Sequence, residues 1–298
     1  MGNCCTPNPS APELQNQATI SEADGPSLEV AKKIERIPEY SNHAVQRAID
    51  LYGDEGNEKM TAEPGKPILG PYLFSDDKIY KGQFLNGERN GLGTLYWNDG
   101  SQYHGQWKSD KAHGFGRIIH SDGDVYIGEF FEDKCNGTGK FIHFDGASYN
   151  GQWRDDKQHG EGEEIWPDGT RYKGTYMSGM KEGRGEFFFG DESKYSGEIH
   201  QNQIHGNGIY EWIDGKRYEG QWQEGKLHGE GHFTFSNGKT YKGQFINDLK
   251  EGYGVMTWPD GSIYEGNWKE GKKHGNGILI DSKGDRQEGV WDNGKKLG

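Results

Sequence analysis

Along most of this chain apolar and polar residues alternate with a period of two, and the alternation itself recurs every 23 residues. Tyr80, Tyr103, Tyr126, Tyr149, Tyr172, Tyr195, Tyr218, Tyr241 and Tyr264 mark that recurrence without a slip. Glycine follows each tyrosine at i+2, and in most units an aromatic residue stands at i+4. In an extended strand these three positions share one face. The residues between them are polar: His104, Gln106 and Lys108 in one unit, Asn150, Gln152 and Arg154 in another, Glu219, Gln221 and Gln223 in a third. Such alternation predicts a half-buried strand rather than a helix, and 49 glycines in 298 residues add to the cost of long helices. A second strand is predicted after each Gly-x-Gly step, with alternating aromatics such as Tyr210 and Trp212, Phe187 and Phe189, Phe233 and Phe235. Its glycines leave room for a neighbouring ring to lie over bare backbone. Trp-Pro-Asp-Gly at 166–169 and 258–261 reads as a tight turn, because Pro presets φ and Asp-Gly tolerates positive φ. Each unit is therefore a β-hairpin and the array a long meander. A fixed period of this length marks stacked units, none of which buries its apolar face alone.

The frame Tyr-x-Gly-x-aromatic, turn, Gly-x-Gly, Asp-Gly resembles the MORN repeat (membrane occupation and recognition nexus). Tyr218-Glu219-Gly220-Gln221-Trp222-Gln223-Glu224-Gly225-Lys226-Leu227-His228-Gly229-Glu230-Gly231 matches that pattern at almost every marked position. Nine repeats cover 80 to 286. A degenerate tenth begins at Gln287, where Gly289 and Trp291 keep register without the tyrosine, and 70–79 resemble the second half of a preceding repeat. The resemblance implies an all-β repeat fold, an elongated and twisted single antiparallel sheet. Two strands per repeat give about 9–10 Å of rise. Repeat five departs from the frame, with Glu192 in place of the turn glycine and Met180 in place of the lysine, so a local irregularity or bend is expected there. A single sheet does not bury an aromatic face by itself. It must curl, dock a helix or pair with a second copy, and a face left uncovered would be a partner site.

Ahead of the array the pattern changes. Residues 1–26 are rich in Pro, Ser, Asn and Ala and read as a flexible tether. Residues 27–56 read as a short helical segment. One helix is expected near 27–37, carrying Leu28, Ala31, Ile34 and Ile37 and stopping before Pro38. Another is expected after Ser41 or Asn42, with Ala44, Val45, Ala48, Ile49 and Tyr52 on one face and an end at Gly53. These helices form either a cap on the first repeat, as the end of a solenoid requires, or a docking element for another protein. Residues 57–79 are a linker and half-repeat, and 80–298 the repeat array.

Charge narrows the partners. The formal net charge is −13, and no basic domain exists to neutralise nucleic-acid phosphates. No run of 18 apolar residues is present. Alternate turns of a meander lie on opposite edges. Asp99, Asp122, Asp145, Asp168, Asp214 and Asp260 fall on one edge; Lys111, Lys134, Lys157, Lys226 and Lys272 fall on the other. The lysine row reads either as a lipid- or partner-facing edge or as turns selected for solubility.

The chain starts Met1-Gly2-Asn3-Cys4-Cys5-Thr6, which fits the N-myristoylation pattern at Gly2. One myristoyl chain holds a protein only marginally. No Lys or Arg precedes Lys32, so a polybasic second signal is excluded and Cys4 and Cys5 are the candidate palmitoylation sites. The third cysteine, Cys135, stands where other repeats have Ala112, Gln158 or Leu227, and three cysteines make no disulfide or metal framework. His113, His159, His205, His228 and His274 recur at one turn position. Repeats about 9–10 Å apart cannot share an ion whose bonds to nitrogen are about 2.0–2.1 Å. Gly220 to Lys226 and Gly266 to Lys272 imitate a P-loop, yet Leu227 and Lys273 replace the required Ser or Thr. The sequence thus carries no catalytic, cofactor or metal signature. It reads as a membrane-anchored, non-catalytic scaffold for proteins at the cytoplasmic face of a membrane. The resemblance implies cilia, flagella, basal bodies or the cell cortex as settings, and the unburied face of a single sheet adds a second copy of the chain to the partners considered. The alternative is a module that reads phosphoinositides or other anionic phospholipids. MORN repeats also resemble the accessory region of plant phosphatidylinositol phosphate kinases.

Overall fold

The computed structural model describes residues 31–39 and 42–297. They fall into two compact units, 31–167 with 176–179, and 168–175 with 180–297. The N-terminal unit begins with β1 (Lys32–Lys33), α1 (His43–Tyr52) and β2 (Leu69–Leu73). Four hairpins follow: β3 (Ile79–Leu85) with β4 (Glu88–Tyr96), β5 (Gln102–Lys108) with β6 (Lys111–Ile119), β7 (Val125–Phe131) with β8 (Lys134–Ile142), and β9 (Ser148–Arg154) with β10 (Lys157–Ile165). Each strand pairs antiparallel with the next. The division between the units runs through β11 (Arg171–Met177). The C-terminal unit continues with β12 (Met180–Phe188), β13 (Lys194–His200), β14 (Gln203–Glu211), β15 (Arg217–Gln223), β16 (Lys226–Thr234) and β17 (Thr240–Ile246). It closes with β18 (Leu249–Thr257), β19 (Ile263–Lys269), β20 (Lys272–Ile280), β21 (Arg286–Asp292) and β22 (Lys295–Lys296). From β12 onward the pairing is again sequential and antiparallel. Both units are the all-β meander that the period predicts.

Two kinds of turn build it. Within a repeat the hairpin loop is two residues long, and both have positive φ, as at Ser109 (48°) and Asp110 (64°) or Asp155 (47°) and Asp156 (64°). This is the type I′ geometry, whose twist matches that of the flanking strands. Between repeats a four-residue turn closes on glycine: the Gly261 N–H bonds to the Trp258 carbonyl at 3.0 Å, with Gly261 at φ 86°. Repeat five keeps this turn despite its sequence. Glu192 adopts φ 70° and its N–H still bonds to the Phe189 carbonyl at 2.9 Å.

The Gly-x-Gly step does not end a strand, as the periodicity alone would have it. The first glycine, with φ 63° at Gly160, forms a bulge inside a nine-residue strand, and the register slips between His159 and Gly162. The second glycine lies opposite a glycine of the neighbouring strand, Gly105 across from Gly116 and Gly220 across from Gly231. Over each such pair lies a tyrosine ring, and a methyl group at Gly105 would stand 2.6 Å from Tyr103 Oη.

The expected helix over 27–37 is not borne out where it can be seen. Residues 27–30 lie outside the described residues, while Lys32 and Lys33 pair with Leu73 and Tyr72 of β2, and the Ile34 N–H bonds to Pro71 at 3.0 Å. An isolated short helix is marginal, and Ile37 precedes a proline, which disfavours the α region; the free edge of β2 supplies hydrogen bonds instead. The second helix is present as α1. Asn42 Oδ1 accepts from the Ala44 and Val45 N–H groups at 3.0 and 3.2 Å, and the helix stops at Gly53.

Candidate functional site: the outward face of the sheet

The two faces of the sheet have different fates. On one face the nine tyrosines are sealed, none more than 1% exposed. Every Tyr hydroxyl donates to the carbonyl three residues on, from Gln83 at 3.1 Å to Asn267 at 3.1 Å. Rings of successive hairpins meet edge to face. In the N-terminal unit Tyr80–Trp107, Tyr103–Phe130, Tyr126–Trp153 and Tyr149–Tyr176 lie 5.1–5.4 Å apart. In the C-terminal unit Tyr218–Phe245, Tyr241–Trp268 and Tyr264–Trp291 lie 5.1–5.4 Å apart. The tyrosine face is therefore core, not the uncovered partner site that a flat ribbon would present. Cys135 belongs to it, fully buried, and burial drives its thiol pKa well up. That is an inert position for a nucleophile.

The outward face is where the units differ. In the N-terminal unit its alternation is broken by apolar residues: Ile119, Val125, Ile127 and Ile142, with Phe115 beside them. Helix α1 lies on this cluster through Val45, Ala48, Ile49 and Tyr52. The helix thus covers the second and third repeats rather than capping the first, because Phe115, Ile119, Val125, Ile127 and Ile142 of those repeats form the patch that its apolar face packs on. Polar contacts fix it. Asn42 Nδ2 donates to the Ser121 carbonyl at 2.8 Å, Arg117 Nη1 to the Glu55 carbonyl at 3.0 Å, and Lys140 stands 3.4 Å from the Glu55 carboxylate. Further on, Gln83 Nε2 donates to the carbonyls of Glu63 and Lys66 at 2.9 and 2.7 Å, strapping that segment to the sheet.

In the C-terminal unit the same face lies open. A concavity of about 580 Å³ is floored by Gly185, Gly197, Gly208 and Gly220 and walled by Arg184 and Glu219. Another of about 640 Å³ is floored by Gly266, Gly277 and Gly289 and walled by Tyr253, Ile278 and Val290. Paired glycines give each trough a backbone floor. Tyr253 and Val290 are 52% and 45% exposed.

The polar residues three after each tyrosine have a use that their sequence positions did not disclose. Gln83, Gln106, Gln152 and Gln221 accept the bulge N–H nine residues on, at 2.8–3.1 Å. They satisfy the donor that the bulge would otherwise leave unpaired. The recurrence of Gln, Glu or Asn at that place was the available signal. For the helix seat it was the unbroken apolar run Val125-Tyr126-Ile127, which marks a strand buried on both faces.

The predicted lysine row does lie at the hairpin turns, with Lys111, Lys134, Lys157, Lys226 and Lys272 each opening a strand. Lys111 stands 3.5 Å from Glu132, and Lys134 3.3 Å from Asp155. The same turns hold Asp133, Asp156 and Asp248, whose carboxylates accept the N–H groups of Ala112, Cys135 and Leu227 at 2.7–2.8 Å. Burial pushes these three carboxyl groups up, against the pull of those amides. The edge is mixed in charge rather than basic. Of the histidine row, His274 pairs with Asp292 at 3.3 Å and His113 lies against the Phe131 ring. Among the described residues no group of three or more His, Cys, Asp or Glu gathers as a metal site would. Gly2, Cys4 and Cys5 lie outside the described residues.

Comparison with known proteins adds a family. The sequence model described as MORN repeat matches nine consecutive segments, 80–102, 103–125, 126–148, 149–171, 172–194, 195–217, 218–240, 241–263 and 264–286. A comparison with curated proteins returned no match. Among solved structures, the TCP10 domain of Danio rerio CPAP in complex with a STIL peptide is similar at 12% identity. That likeness covers 72% of this chain and 99% of that one, with a TM-score of 0.40. The TCP domain of Drosophila melanogaster SAS-4, in complex with a proline-rich motif of Ana2, is similar at 11% identity over 51% of this chain and 83% of that one, with a TM-score of 0.32. At these scores neither likeness bears on partner or location.

Proposed function

This chain belongs to the MORN-repeat family, a family of repeat modules rather than enzymes, and from that premise we propose that it is a lipid-anchored scaffold at the cytoplasmic face of a membrane. The observation that carries the scaffold reading is the contrast between the two faces. The tyrosine face is sealed by its own rings, and the outward face of the C-terminal unit stands open with glycine floors, one trough walled by Arg184 and Glu219 and the other by Tyr253, Ile278 and Val290. A surface of that kind presents area and hydrogen-bonding groups to a protein partner. The anchor rests on the sequence at 1–6: myristate on Gly2, with palmitate on Cys4 and Cys5 as the second signal. Residues 1–26 then connect the anchor to the array, and cilia, basal bodies or the cell cortex are the settings proposed.

Membrane fractionation of cells expressing wild-type and Gly2→Ala chains tests the anchor. The variant is expected in the soluble fraction, and an equal membrane fraction for both overturns the anchor. The lysine edge is tested separately with the full-length, non-acylated chain and vesicles containing phosphatidylinositol phosphates. No flotation is expected, because Lys111 and Lys134 already face Glu132 and Asp155 and the chain carries −13 overall. Salt-sensitive flotation that Lys226→Glu and Lys272→Glu abolish would instead favour the phosphoinositide reading.

A further inference from the structure

Helix α1 is held by a pattern of residues that recurs in part, with Thr257 at the later counterpart of Ile119. Its seat in the N-terminal unit is built on Phe115, Val125 and Ile142, with Val125 and Ile142 paired across β7 and β8. Six repeats further on, at the same places in the 23-residue frame, stand Tyr253, Ile263 and Ile280, with Ile263 and Ile280 paired across β19 and β20. Two positions that are basic in the first seat, Arg117 and Lys140, become Val255 and Ile278 in the second. The repeats between lack the pattern: Arg184, Asn207 and Glu230 replace Phe115, and Lys194, Arg217 and Thr240 replace Val125. The first seat is covered, with Val125 0% exposed. Its counterpart Ile263 is only partly buried, Tyr253 is 52% exposed, and Tyr253 and Ile278 wall the adjoining concavity of about 640 Å³.

We infer that Tyr253, Val255, Ile263, Ile278 and Ile280 form a second helix seat, whose occupant is a basic amphipathic helix of a partner protein. This deepens the scaffold reading and rests on it. The helical shape follows from the first seat, where Val45, Ala48, Ile49 and Tyr52 contribute at i, i+3, i+4 and i+7. The charge follows from the substitutions between the seats. Ile127 of the first seat is replaced by Glu265, and Asn150 by Glu288. Glu265 accepts from the Tyr253 hydroxyl, and Glu288, which lines the same concavity, faces Arg286 at 3.0 Å. The Glu265 carboxylate at the rim of an apolar patch calls for Lys or Arg on the flank of the helix that faces it.

The chain's own segments fit this seat poorly. Residues 1–31 contain no Lys or Arg. α1 is already docked, and Glu55 after it is matched to Arg117 through its carbonyl and to Lys140 through its carboxylate. Val255 and Ile278 now occupy the places of those two basic residues.

The test uses the full-length chain and a fluorescein-labelled peptide of residues 42–53 carrying Asp50→Lys, with the unsubstituted peptide beside it. Anisotropy is expected to show saturable binding of the lysine peptide. Ile263→Glu should abolish it. Glu265→Lys should weaken it about tenfold or more, a loss of about 1.4 kcal/mol. A peptide carrying Glu in place of its lysine should bind Glu265→Lys better than wild type. Tryptophan fluorescence of each variant reports whether the tyrosine face stays packed. Binding that survives both Ile263→Glu and Glu265→Lys, or no binding at all, overturns the seat. Neither result touches the Gly2→Ala fractionation, so the seat and the anchored scaffold fail separately.

Discussion

A methyl group at Gly105 would stand 2.5 Å from the Gly116 Cα, so at the scale of single residues the fold depends on atoms that are absent. The bare backbone admits the tyrosine ring, and the ring in turn hides its hydroxyl from water. Burial raises the phenol pKa above the ordinary 10.0 at Tyr80, Tyr103, Tyr126, Tyr149, Tyr195, Tyr218, Tyr241 and Tyr264. A raised folded-state pKa means stability that is whole below pH 10 and is lost as pH climbs beyond it. Alkaline titration should therefore show tyrosinate absorbance rising with the loss of circular dichroism, in one steep transition. Smooth ionisation near the ordinary value with the fold intact would contradict this packing. Glu192 makes the opposite point about glycine. It holds φ 70° where other repeats have Gly169 at 85° and Gly215 at 83°. A left-handed L-residue costs about 1–2 kcal/mol, partly offset by the greater freedom of glycine when unfolded. Glu192→Gly should raise stability by about 1 kcal/mol, read as a shift of the denaturant midpoint at unchanged slope.

At the scale of elements, the hairpins were legible because one physical rule, alternation, wrote them nine times. Tyr, Gly and Trp on a shared face is a statement about strand geometry, and the strands follow it. The bulge was not legible as such, since Gly-x-Gly signals a turn and an interrupted strand equally well. What decides is Gln106 or Gln152 reaching across to the bulge amide, a contact made nine residues away. The helix α1 was legible from its own face, Val45 to Tyr52, but its seat was not. The repeat frame fixes the tyrosine side alone, and Ile119 and Val125 on the other side are by type ordinary strand residues. The segment around Lys32 misled for a related reason, because its helical spacing competes with a strand edge formed some 40 residues later. Undocking α1 provides the test. Val45→Asp buries a charge against Ile119 and Ile127 and should cost about 2 kcal/mol or more. Amide exchange should accelerate through 42–53 while the β9 and β10 amides keep their protection. Acceleration spread evenly over the N-terminal unit would show that the helix is integral to the sheet.

At the scale of the whole molecule, within each unit a hairpin makes its ring contacts with the hairpin next to it in sequence, so stability is a sum of local links and not one core. The hairpin turns show how unequal those links are. Where a turn carries Asp110, Asp133, Asp156, Asn202 or Asp248, its side chain grips the strand start of the previous hairpin at 2.7–2.8 Å as well as through the backbone. Where it carries Gly225 or Gly294, that residue contributes only its backbone bond of 2.8–2.9 Å. Under mechanical load the two kinds of link would yield at different forces. Pulled from its ends in a single-molecule instrument, the chain should lengthen in steps of one repeat, roughly 75–80 Å of contour each. The glycine turns of the C-terminal unit should part first, and Gly225→Asp should delay that event. A protein held to a membrane at one end and to a partner along its sheet would then act as a graded shock absorber. It would give way a hairpin at a time near its C-terminal end while the carboxylate-clasped hairpins of the N-terminal unit kept their grip.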